Sequence, residues 1–141
     1  MFYLLKKLAH YLTANSRHGT HSPFVYTLAD ELIYNKNISR SFSLIDDIQW
    51  YYMQQLHKQK EDFLVLSLKD ISVDEIAVLQ EDYFMIFLKD VHRGEAENLW
   101  AAMQADQRFI VLIDFFEFGV LCKRTEQPKE TFKLRYPYRL Y

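Results

Sequence analysis

Glycine is scarce in this chain, with three residues in 141, roughly 2% against an ordinary share near 7%. They are Gly19, Gly94 and Gly119, so none falls between positions 20 and 93. A loop whose bare backbone lies against a phosphate or nucleotide needs residues without a Cβ. The middle of the chain is thereby excluded as the place for one. The single cysteine, Cys122, excludes an internal disulfide framework and any CxxC zinc or redox pair. Long apolar runs are missing too. The N-terminal MFYLLKKLAHYL is broken at Lys6 and Lys7, before the roughly 7–15 apolar residues of a signal core can accumulate. No stretch approaches the roughly 20 residues that span a bilayer. A cytoplasmic protein with a free thiol is the expectation.

What is present suffices for a core. Half of the residues are hydrophobic and 16% are aromatic, which excludes general disorder. The length fits one domain, with a helical part over 1–60 and a sheet-forming part over 61–141. The net charge of −2 conceals an asymmetry. Residues 1–60 carry seven Lys/Arg against four acids, residues 61–117 four against thirteen, and residues 118–141 six against two. A polyanion would be repelled by the middle, so no nucleic-acid partner is expected, and solvated helix faces of varying sign explain the pattern.

Phe2, Leu5, Leu8, Ala9 and Leu12 recur at helical spacing and predict an amphipathic helix over 2–14. It suits a membrane interface or, the preferred reading, packing on its own domain or a partner; no membrane partner is expected. Ser22-Pro23 reads as an N-cap followed by proline at the first helical position, opening a helix over 23–34 that leaves through Asn35-Lys36-Asn37. Ser43 caps a third helix over 43–58. From residue 62 the period changes. FLVLSL and YFMIFL are continuous apolar runs expected of strands covered on both faces. Between them Ser72-Val73-Asp74-Glu75 is a capping box. A helix over 94–105, a hairpin over 109–122 and an edge strand over 131–135 follow. Strand–helix–strand order implies parallel pairing, and the short hairpin must be antiparallel.

Five residues are candidate ligand or partner contacts: Arg17, His18, His21, Asp90 and His92. The first three lie in RHGTHSPF, which also reads simply as a turn into a helix. His18 and His21 could begin a metal pair, but no carboxylate or cysteine nearby completes a set, and Ser22 lacks the setting of a nucleophile. Asp90 and His92 follow the YFMIFL strand, where open α/β sheets gather ligands; a solvated loop and a helix dipole served by Glu95 and Glu97 explain them as well. Asp70 holds the analogous position after FLVLSL. Cys122 is read as a buried, inert thiol, and the terminal RYPYRLY as an ordered or fraying tail rather than a strand-binding patch.

Two blocks resemble a known family. RHGTHSPFVYTLADELIY (Arg17–Tyr34) is similar to the N-terminal helical segment of a bacterial subset of class I S-adenosylmethionine-dependent methyltransferases. Tyr83–Arg135 resembles the end of that fold: a core strand, an Asp/His loop, a Trp-bearing helix, then closing antiparallel strands with Glu117-Phe118-Gly119 and Glu126-Gln127-Pro128. The resemblance implies an α/β chain, N-terminal helices followed by a reduced Rossmann-like mixed sheet. Between the blocks the family carries a strand ending in a Gly-rich turn and a second strand ending in an acid that binds the cofactor ribose. Here that unit is missing, and Lys89 stands where the family has the first acid of an Asp–Asp–Ile–His string. The expectation is therefore a degenerate, methyltransferase-like protein with a structural or interaction role. It would have no catalytic, cofactor-binding or metal residues of its own and would associate with itself or with a paralogous methyltransferase. The alternative is an S-adenosylmethionine-dependent methyltransferase, or a subunit completing its site with a full-length paralogue.

Overall fold

The computed structural model describes residues 2–15, 22–38, 40–41 and 43–135. Among them, helix α1 is Phe2–Thr13, and α2 is Pro23–Leu28, which runs on as a π-helical turn over Ala29–Ile33. Helix α3 is Leu44–Gln55, and a 3₁₀ turn, Lys60–Asp62, leads into strand β1, Phe63–Ser67. Then come α4 (Val73–Leu79), β2 (Met85–Lys89), α5 (Ala96–Ala105), β3 (Val111–Asp114), β4 (Phe118–Cys122) and β5 (Glu130–Lys133).

The helix starts follow their local chemistry. The Ser22 hydroxyl accepts from the Val25 N–H at 3.2 Å, with Pro23 occupying the position whose N–H would be unused. Ser72 and Glu75 cap each other reciprocally, both bonds being 3.1 Å. At the far end of α2 the Tyr34 N–H donates to the Ala29 carbonyl, a π-type bond of 2.8 Å. Arg40 Nη2 closes this end by donating to the carbonyls of Leu32, Ile33 and Asn35 at 3.0, 3.0 and 2.9 Å.

The strands form one mixed sheet in the order β1-β2-β4-β3-β5. As strand–helix–strand order implies, β1 and β2 are parallel, Phe63 pairing with Met85. Strand β4 runs antiparallel to both neighbours, β2 and β3, so the 109–122 hairpin forms as expected. Strand β5 lies parallel to β3 at the sheet edge, which its alternation predicts.

Alternate side chains of the central strands feed two cores. Met85, Phe87, Val111, Ile113 and Val120 meet α2 and α3 on one face. Ile86, Leu88, Leu112 and Leu121 meet Ile76 of α4 and Trp100 and Met103 of α5 on the other. Strands β2, β3 and β4 are thus covered on both sides, as their apolar runs require. Burial at about 25 cal/mol per Å² of apolar surface makes these two layers the main source of stability.

Two elements depart from expectation. FLVLSL reads as a strand buried on both faces, but β1 ends the sheet, with Leu64 and Leu66 half-buried and Val65 39% exposed. Apolar content alone does not distinguish a central strand from an edge strand, because both need a filled core side. Helix α1 packs on its own protein, but with its apolar stripe outward. Phe2 is 81%, Leu4 68% and Leu12 67% exposed, while His10 is buried. The polar side of the helix faces inward because it has partners there.

Candidate functional site

Helix α1 lies across the β3–β4 connection. Tyr3 donates to Glu117 Oε2 at 3.1 Å and Lys7 pairs with Glu117 Oε1. Lys6 pairs with Glu97 of α5 at 2.8 Å. One turn further along, His10 reaches the carboxylate that terminates β3, Asp114, which is 2% exposed. Apolar side chains ahead of it bury the strand; the acid at its end is held by polar contacts from every side.

Asp114 Oδ1 accepts the Phe116 N–H at 2.8 Å, and Oδ2 accepts His92 Nε2 at 2.7 Å and Trp100 Nε1 at 3.3 Å. His10 Nδ1 stands 3.7 Å from Oδ1. The outer nitrogens of both imidazoles are engaged as well. His10 Nε2 is 3.0 Å from the Leu134 carbonyl and His92 Nδ1 is 3.4 Å from Glu97 Oε2. A carbonyl oxygen only accepts, so His10 carries its proton on Nε2 and its Nδ1 lone pair faces Asp114. One ligand atom from each of His10, His92 and Asp114 lies within 4.8 Å of the other two. The donor set, two imidazoles and a carboxylate, is one that holds a zinc-class ion.

The turn that presents this carboxylate is strained. Phe116 has φ +71°, and the Glu117 N–H donates to the Phe115 carbonyl at 2.9 Å, closing a three-residue turn of the uncommon hand. Contacts hold Phe116 there. Its ring stacks on His92 (4.5 Å between centroids, 10° between planes) and meets His10 and Tyr3 at 5.5 and 5.0 Å. Behind it Gly119 is required: a Cβ there would sit 2.6 Å from Trp100 Cη2.

The two imidazoles titrate in opposite directions. Burial pushes the His10 pKa below its usual value, more than the Leu134 bond and the Asp114 charge raise it. For His92 burial again acts downward, but the Asp114 hydrogen bond and charge, aided by Glu97, outweigh it and raise the pKa. Burial would raise the pKa of Asp114, yet the His92 bond and charge hold it below the usual carboxylate range.

A second feature lies at the carboxyl ends of β1 and β2, where a cleft of about 850 Å³ opens among Asp70, Ile71, Asp90, Arg93, Gly94 and Glu95. Asp70 and Asp90 take φ of +57° and +54°, a conformation aspartate tolerates better than most residues. Among the candidates, Asp90 and His92 therefore separate. Asp90 lines the cleft beside Arg93, at 3.5 Å, whereas His92 turns to Asp114. Arg17, His18 and His21 lie outside the described residues, as does the tail beyond Arg135. Cys122 is buried, and burial raises its thiol pKa far above the usual value, in keeping with an inert role.

Sequence reasoning missed His10 and Asp114. His10 is off the apolar stripe of α1, which reads as solvent-facing when the stripe is assumed to face the core. Asp114 did leave a signal, as the lone acid closing the run FIVLI. The two blocks singled out in the sequence do touch: Ser22 Oγ donates to Gln127 Oε1 at 2.6 Å, and the Arg124 guanidinium covers the Phe24 ring at 4.2 Å. Compared with known proteins, the chain matches no family model, and no similar curated protein or solved structure is found. No helix among the described residues is long and apolar enough to cross a membrane.

Proposed function

We propose that this chain is a degenerate methyltransferase-like protein of the cytoplasm, non-catalytic, that acts by associating with a second copy of itself. On this reading its sheet is a reduced Rossmann-like one, and it does not bind S-adenosylmethionine alone. The observation that carries the reading is the position of β1 at the end of the sheet. The resembled family carries its Gly-rich turn and ribose-binding acid on strands that precede such a segment. Here the turn that follows β1, Leu68 to Ser72, contains no glycine, so every residue of that turn carries a Cβ.

An open edge also supports association. Unpaired N–H and C=O groups along a strand invite another strand, and Val65 adds exposed apolar surface there. The outward Phe2, Leu4, Leu5, Leu8 and Leu12 of α1 add a second apolar surface. Static light scattering at tens of micromolar tests the proposal. A mass at least twice the 17.0 kDa of one chain is expected, and Val65→Lys, a cation on the open edge, shifts it toward the single chain. A wild-type mass of one chain contradicts it.

One observation favours a second reading, an S-adenosylmethionine-dependent methyltransferase or a subunit completing its site with a full-length paralogue. The cleft over β1 and β2 occupies the region where open α/β sheets bind ligands, and Asp70 and Asp90 could contact one.

A further inference from the structure

The geometry points to a site for a divalent first-row transition ion of the zinc class, held by His10, His92 and Asp114. It is independent of the proposed association, since all three ligands come from one chain. Two imidazole nitrogens and a carboxylate oxygen form a three-ligand set that leaves a position open, as catalytic-type zinc sites do. Calcium and magnesium prefer all-oxygen shells, so the two imidazoles select against them.

Spacing agrees with the chemistry. Bonds of about 2.0–2.1 Å in a tetrahedral shell put neighbouring donor atoms about 3.3 Å apart. The contacts reach the two Asp114 oxygens separately, His10 Nδ1 standing 3.7 Å from Oδ1 and His92 Nε2 2.7 Å from Oδ2, and one ligand atom from each of the three residues lies within 4.8 Å of the other two. The longer contact is too long for a hydrogen bond. It brings a nitrogen lone pair to face a carboxylate, because the Leu134 carbonyl fixes the His10 proton on Nε2. A cation bound by both groups satisfies both.

The surroundings are those of a metal shell. Each ligating imidazole has its far nitrogen at an acceptor, the Leu134 carbonyl for His10 and Glu97 Oε2 for His92. The carboxylate is oriented by the Phe116 and Trp100 N–H groups. His10 and Asp114 are buried and His92 is half-buried, so an ion reaches the site past His92. Because the ligands come from α1, the β2–α5 loop and the end of β3, the ion would tie the first helix to the sheet.

Titration of the full chain with zinc chloride by calorimetry, paired with visible absorption on cobalt(II) addition, tests the site. One equivalent is expected to bind and to raise the Tm, EDTA reversing the rise. His92→Ala and Asp114→Asn should abolish saturable binding, and Glu97→Gln should weaken it about tenfold. His18→Ala/His21→Ala, which removes the other closely spaced histidines, should leave binding unchanged. Absence of zinc binding by the wild type overturns the proposal, and that arm needs no variant to fold. Binding that survives in folded Asp114→Asn, or that is lost with His18 and His21, overturns it as well.

Discussion

At the scale of single residues, the β3–β4 turn joins packing to chemistry. Trp100 fills the space in front of Gly119 and uses its indole N–H on Asp114. Gly119→Ala forces a buried ring to move, and overpacking of this kind costs about 1–3 kcal/mol. Denaturant unfolding should therefore give a lower midpoint with an unchanged slope; an unchanged midpoint would mean that Trp100 yields freely. This glycine was legible in the sequence only as part of a turn. The need for it comes from a tryptophan nineteen positions earlier, a contact that no local pattern announces.

At the scale of elements, caps and periods were readable because their causes are local. Ser22-Pro23, Ser43 and the Ser72/Glu75 box each opened a helix where expected, continuous apolar runs located β1 and β2, and alternation located the edge strand β5. Orientation was less readable. The stripe Phe2-Leu5-Leu8-Leu12 marks an amphipathic helix, but which side faces inward depends on partners more than a hundred residues away. Tyr3 and Lys7 find Glu117, and His10 finds Leu134 and Asp114.

Tyr3 offers a test of that docking. Burial, then the Glu117 charge and hydrogen bond, push its pKa up to about 12 from 10.0, against a smaller lowering by Arg93. Below pH 10 the phenol is protonated in both folded and unfolded chains and its full contribution is present. Between pH 10 and 12 the unfolded chain releases the proton first, so stability falls as pH rises. Tyr3→Phe removes this dependence. The Tm of the wild type should exceed that of Tyr3→Phe at pH 8, with the gap closing between pH 10 and 12; a constant gap would place the Tyr3 hydroxyl away from Glu117.

For the whole molecule, the open sheet and the missing glycines belong together. Among the described residues no strand pairs with the outer edge of β1, and the turn that follows it, within a stretch free of glycine from residue 20 to 93, carries a Cβ at every position. The fold class followed from the order of periodic segments. The His10–His92–Asp114 cluster did not, because its members come from a helix, a loop and a strand end that only the assembled fold brings together. The most direct measurement on the central claim is isothermal titration of the full chain with S-adenosylmethionine at tens of micromolar protein. The account predicts heats no larger than those of dilution, whereas a saturable one-site isotherm would contradict it.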